Sequence, residues 1–102
     1  MSKVAIVGEF ETKPGRLVEF ETLIRNHAAK CLEVEPGTLR FELMYPIDEK
    51  GERIANCLMV NELFVDRAAV DFHRGTSRMA DVASQFGTLT NSARLVLADV
   101  NE

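Results

Sequence analysis

The sequence is poor in cysteine, histidine and basic charge, and each shortage narrows what it can be. Cysteine occurs only at Cys31 and Cys57 and histidine only at His27 and His73. There is no CxxC pair and no histidine cluster, so no metal site is legible. Two isolated thiols fit a reducing compartment, most simply the cytoplasm. Lysine and arginine number 12 against 16 aspartates and glutamates, a net charge of −4. A nucleic-acid-binding surface would be basic, so no such partner is expected. No apolar run approaches the ~18–20 residues that a membrane span needs. The opening MSKVAIVGEF lacks the long apolar core and small-residue cleavage site of a secretory signal. No membrane partner is therefore expected. GxSxG, a glycine-rich phosphate loop, HExxH and an EF-hand loop are also missing. Tryptophan is absent, and Tyr45 is the lone tyrosine.

What is present suits one ordinary globular domain. Domains hold roughly 100–200 residues, so the 102 residues are expected to form a single domain over 1–102. Hydrophobic residues are 46% and charged residues 27%, which argues against disorder.

Hydrophobic periodicity predicts the elements. Residues 3–10, KVAIVGEF, read as a strand, with Gly8 marking a bulge or a close backbone approach. Thr12 before Lys13-Pro14 predicts a helix start. Leu17, Phe20, Ile24, Ala28 and Cys31 recur at helical spacing, with Leu23 and Leu32 widening the stripe. Glu35-Pro36-Gly37 ends that helix near Val34. TLRFELMY over 38–45 alternates, with Leu39, Phe41, Leu43 and Tyr45 on one face and Thr38, Arg40, Glu42 and Met44 on the other. The polar turn 46–53 then leads into a second hairpin arm over 54–64, apolar on both faces at its centre. Asp66 caps a helix over 67–73, and Thr76 or Ser77 caps another over about 78–86. A loop over 87–91 and a last strand over 93–100 complete the chain.

The order β-α-β-β-α-β, with the second helix broken in two, predicts an α+β, ferredoxin-like split βαβ fold. Its sheet is four-stranded and antiparallel, with helices on one face. Strands apolar on both faces leave a patch on the other side, which predicts a homodimer packed sheet against sheet.

Few residues could carry chemistry. His27 lies at the margin of the helical stripe and His73 ends the first part of the second helix, and each could be a general acid or base. Each also has a plain structural role, His27 as a helix-edge residue and His73 as a cation suited to a helix C-terminus. Glu62 sits within an apolar strand, where a carboxylate is costly unless paired or protonated. With Arg40 and Glu42 it could form a cross-strand ion-pair network, or one of the three could orient a histidine or a substrate. Cys31 and Cys57 read as small core residues.

The segment EPGTLRFELM, then a hairpin, then NELFVDRAAVDFH, resembles the antibiotic biosynthesis monooxygenase family. The resemblance rests on Glu35, Pro36, Gly37, Leu39, Phe41, Glu62, Ala69 and His73. It implies a dimeric α+β barrel, two ferredoxin-like subunits packed sheet to sheet. Arg25-Asn26-His27, EPGTLRFEL and AVDFHRGTS further resemble a branch that isomerises a phosphorylated quorum-sensing autoinducer, through His27, Glu42, Glu62 and His73. The hairpin loop here is longer, Arg78 stands near where a second histidine is common, and Phe64 replaces Tyr or Trp. The haem-degrading branch uses a tryptophan, which this chain lacks.

The resemblance implies a small cytoplasmic enzyme acting on a small molecule without metal or other cofactor, such as a monooxygenase of a quinol-like aromatic. In that reading His27 or His73 is the base, Glu62 orients it, and Asn26 or Asn61 holds the oxyanion. The alternative is isomerisation of a small phosphorylated hydroxy-carbonyl, with Arg40 or Arg78 holding the phosphate. A non-catalytic ligand-binding dimer also stays open.

Overall fold

A computed structural model describes residues 2–100. The elements are β1 (Lys3–Thr12), α1 (Leu17–Val34), β2 (Thr38–Met44), β3 (Cys57–Phe64), α2 (Arg67–Arg74), α3 (Ser77–Ala83), α4 (Phe86–Leu89) and β4 (Thr90–Val100). The sheet order is β2-β3-β1-β4 with every pairing antiparallel. This is the ferredoxin-like α+β arrangement that the element order predicts. No helix among the described residues is long and apolar enough to cross a membrane.

Strand periodicity sorts side chains by parity. In β1 the even positions Val4, Ile6, Phe10 and Thr12 are buried, and in β3 so are Leu58, Val60, Glu62 and Phe64. Register places Ile6 opposite Glu62 and Gly8 opposite Val60, so these residues share the helix-covered face. Phe20, Ile24, Ala28 and Cys31 of α1 pack there with Phe10, Phe41, Leu58, Val60, Val82 and Leu89. Phe10, Phe20 and Phe86 form a triangle of tilted rings with centroids 5.0–5.8 Å apart. A smaller cluster joins Val70 of α2 to Val4, Ile6 and Phe64. The odd positions face the other side, which no helix covers.

Several boundaries differ from the sequence expectation. α1 starts at Leu17, not after Thr12. Thr12 ends β1 instead, its backbone N–H donating to the Asn56 carbonyl at 2.7 Å. Lys13–Arg16 then close a turn (Arg16 N–H to Lys13 C=O, 3.0 Å) with Pro14 and a positive-φ Gly15 at its corners. β3 starts at Cys57 rather than Ile54, after Asn56 in the left-handed region at φ 61°. The expected loop after the third helix is a short turn of helix, α4, and β4 begins earlier, at Thr90.

In β2 a register shift between Thr38 and Arg40 breaks the strict alternation. Thr38 and Phe41 both face the core, while Leu39 is 46% exposed. Leu32 is also exposed, so it does not widen the buried face of α1. The helix caps fall as expected: the Asp66 side chain accepts from the Ala69 N–H and that of Thr76 from the Met79 N–H.

Candidate active site

The helix-covered face holds a group of titratable side chains that apolar packing would not place there by itself. His27, Glu35, Glu62 and His73 are all buried, none more than 5% exposed. α1 supplies His27 and Cys31 one turn apart, and Glu35 continues the same stripe one turn further. The Glu35 N–H still bonds to the Cys31 carbonyl (2.9 Å), so the last helical turn holds Glu35 against the core before Pro36 ends it. His73 comes from α2. Its position depends on a close approach: a Cβ at Gly37 would lie 2.5 Å from Ala69 Cβ, so only glycine lets α2 settle this near the end of α1. One turn beyond Ala69, His73 meets Glu35.

Glu35 is the hub of the group. Its Oε1 accepts from Thr38 Oγ1 at 2.7 Å and lies 2.9 Å from His73 Nδ1. Its Oε2 is ion-paired with Arg78. Burial raises the cost of its charge, but the hydrogen bonds from Thr38 and His73 and the nearby His73 charge outweigh this, and its pKa falls below the ordinary value. An ionised carboxylate can only accept, so His73 Nδ1 carries its proton towards Glu35. The other ring nitrogen, Nε2, lies 3.6 Å from Glu62 Oε1. Burial pushes Glu62 up to about 8, Arg74 opposing the shift and Glu35 adding to it. Glu62 Oε1 has no hydrogen-bond partner.

Among the described residues, the hydrogen-bond contacts of His27 Nε2 and Nδ1 are with the thiol of Cys31, at 3.5 and 3.8 Å. Burial, then the charges of His73 and Arg78, lower His27 to about 4, so its ring is neutral near pH 7. Burial and the Glu35 charge push the Cys31 thiol up to about 12.

His27, Glu62 and His73 border a cavity of about 50 Å³ between the helices and the sheet. Its polar wall is His27, Glu62, His73 and Arg74, and the rest is apolar, including Phe41, Val60, Met79 and Phe86. Gly8 pairs across the sheet with Val60 and Leu95, two of the cavity's lining residues. A Cβ there would meet Val60 Cγ2 at 2.7 Å, Leu95 Cδ2 at 2.9 Å and Phe10 Cε2 at 3.0 Å, all three from cavity-lining residues. The close approach expected at Gly8 is therefore side-chain packing over the missing Cβ.

The sequence-predicted residues divide cleanly. His27, Glu62 and His73 come together at the cavity, with His27 buried rather than marginal. Arg78 reaches the same cluster, but through Glu35. Asn26 lies outside, lining a surface groove between α1 and α3 with His27, Lys30 and Arg78. Arg40, Glu42 and Asn61 are on the opposite face of the sheet, where Asn61 Nδ2 donates to Glu42 Oε1 at 3.3 Å and Arg40 lies 3.8 Å from it. Odd parity of Asn61 and the β2 register put them there, so they do not meet Glu62. Sequence reasoning missed Glu35 and Arg74 as site residues. Glu35 had a signal, since it extends the 24, 28, 31 stripe by one more helical step; Arg74 had none.

A profile of the antibiotic biosynthesis monooxygenase family matches residues 3–85. The chain belongs to this family. No curated protein matches it in sequence. Among solved structures, it is similar to SnoaB, a cofactor-independent oxygenase from Streptomyces nogalater (20% identity, TM-score 0.82, covering 100% of this chain and 96% of that one). It is also similar to Rv0793 from Mycobacterium tuberculosis (22% identity, TM-score 0.81, 99% and 98% covered). A third is protein SO0527 from Shewanella oneidensis (21% identity, TM-score 0.81, 97% and 91% covered). These likenesses establish the fold. The match spans β1 to α3 and so includes every residue of the buried cluster.

Proposed function

We propose that this chain is a cofactor-independent monooxygenase of an electron-rich phenol or quinol, with His73 as its base. The observation that carries the reading is the Glu35–His73 pair. Glu35 accepts the hydrogen bond from Nδ1–H at 2.9 Å, which leaves Nε2 as the basic nitrogen on the cavity side. A buried carboxylate behind the ring also favours the imidazolium that forms when Nε2 takes a phenolic proton. Glu62, beside Nε2, positions that proton, and Arg74 is the fixed cation among the lining residues that faces the new phenolate.

The phenolate then reduces O2 directly. A phenol with a free para carbon plus O2 gives the quinone plus water, so the atoms balance without an external reductant. The cavity of about 50 Å³ is too small to enclose a ring, since a cavity near 150 Å³ is what holds benzene. The ring enters by displacing the half-buried Met79 and Phe86 at the cavity wall. Flexible methionine suits that role.

The phosphorylated hydroxy-carbonyl isomerase reading has less support. Arg40 is on the far face of the sheet, and Arg78 is held by Glu35. The homodimer belongs to this proposal as well. Val7, Met59, Leu63 and Val96 give the uncovered sheet face an apolar centre that a second copy would bury. Two free cysteines fit a cytoplasmic setting.

The test is oxygen uptake by the purified chain across a panel of quinols and phenols. His73→Ala is expected to lower the rate about 10²–10⁴-fold. Uptake unchanged in that variant, or isomerisation of phosphorylated hydroxy-diones with no oxygen uptake, would overturn the reading.

A further inference from the structure

We propose that His27, Cys31 and His73, completed by Glu35, form a binding site for a thiophilic divalent cation of the zinc class. The ligand atoms of the first three all lie within 4.8 Å of one another, and all three residues are buried. Cys31 Sγ is 3.5 Å from His27 Nε2 and 3.8 Å from His73 Nδ1. Zinc holds nitrogen at about 2.0–2.1 Å and sulfur at about 2.3 Å, so the edges of its tetrahedron are about 3.3–3.8 Å long. These two sulfur–nitrogen distances already fall within that range. Glu35 Oε1 lies 2.9 Å from His73 Nδ1 but outside this group of three, so it moves towards the ion to serve as the fourth ligand.

Two unsatisfied groups favour an ion here. His27 is buried with only a thiol near its ring nitrogens, a poor partner for an imidazole. Glu62 Oε1 is buried with no hydrogen-bond partner. A metal on His73 Nδ1 sends the ring proton to Nε2, 3.6 Å from Glu62 Oε1, and so supplies the donor that oxygen lacks. This is the carboxylate–histidine–metal relay that commonly backs a histidine ligand. The Cys31 thiol proton leaves to solvent. The thiolate and the Glu35 carboxylate then balance the ion's two charges, while Arg78 stays on Glu35 Oε2. The groove between α1 and α3, lined by Asn26, His27, Lys30 and Arg78, is the route in.

The site does not rest on the oxygenase reading. It opposes it, because a protonated Nε2 is no longer a base, so the ion acts as an inhibitor rather than a cofactor. The test titrates the metal-stripped full-length chain with Co2+, then with Zn2+. One equivalent of Co2+ is expected to give a thiolate-to-metal charge-transfer band in the near ultraviolet, and Zn2+ should displace it. Cys31→Ser should abolish the band. His27→Ala should weaken binding at least tenfold, and Cys57→Ser, which alters the half-buried cysteine at the start of β3, should change neither. A folded wild-type chain without the band, a band that disappears with Cys57→Ser, or equal displacement by Mg2+ would overturn the proposal.

Discussion

The two faces of one sheet carry ionisable residues in opposite ways. Beneath the helices, Glu62 and His73 are buried, and one oxygen of Glu62 has no hydrogen-bond partner. On the uncovered face, Arg40 and Glu42, both more than half exposed, and the half-buried Asn61 sit on adjacent strands and satisfy one another and the solvent. Neighbours in β3, Asn61 and Glu62, differ by one residue and fall into different chemistry. Screening makes an exposed network nearly neutral to stability, whereas a buried carboxylate must be paired, protonated or used. A cluster that folding alone would replace with apolar groups is where function is to be sought.

Perturbing the buried face should have the largest effects. Glu35→Ala removes the acceptor of Thr38, His73 and Arg78 together, and each donor left unpaired in the interior is costly. We expect a loss of about 3 kcal/mol in denaturant-unfolding free energy, with oxygen uptake reduced as well. Glu35→Gln keeps an acceptor and should recover part of the stability but little of the rate. A variant as stable as wild type would remove Glu35 as the hub.

The pH dependence follows from Glu62. Its pKa is about 8 in the fold against an ordinary 4.5, so the protonated form is favoured by folding. Its contribution is fully present below about pH 4.5 and is lost as pH rises through about 8. The whole window is worth up to about 5 kcal/mol at 1.36 kcal/mol per pKa unit. In metal-stripped protein, unfolding free energy should therefore fall across that range, and Glu62→Gln should flatten the fall. An identical slope in both proteins would contradict the burial argument.

Gly8→Ala should be milder, because side chains rather than backbone face the added Cβ, although Val60 and Leu95 must shift by several tenths of an ångström. A stability cost of about 1–2 kcal/mol is expected, with tighter closure of the cavity and a higher KM for the aromatic substrate. The smallest effect should come from the uncovered face. Arg40→Ala should change unfolding free energy by no more than about 0.5 kcal/mol, whereas Val7→Asp, at the apolar centre of that face, should shift sedimentation from dimer to monomer. A monomeric wild-type chain would remove the sheet-to-sheet pairing.

The parity that separates these faces was only partly legible in the sequence. Helical spacing assigns His27 beside Ile24 and Cys31, but the apolar centre of β3 hid its parity, so Glu62 was grouped with Arg40 and Glu42 although it faces inward with Val60 and Phe64. Asp66 and Thr76 announced their helices because short polar side chains satisfy the first free N–H groups. Other features left no such mark. The register shift after Thr38 depends on tertiary pairing, so Leu39 reads as inward and lies outward. Thr12 reads as a cap, but its partner is Asn56, remote in sequence. Glu35 was hidden by its neighbour: Pro36 marks a helix end, which draws attention from a carboxylate still on the buried face.

The most direct measurement compares the two faces in one assay of oxygen uptake with a quinol substrate. The variants are His73→Ala on the buried face and an Arg40→Ala/Asn61→Ala pair on the other, each checked for folding by circular dichroism. Uptake should fall about 10²–10⁴-fold with the first and remain close to wild type with the second. Uptake that survives His73→Ala but collapses in the double variant would place the chemistry on the wrong face and contradict this account.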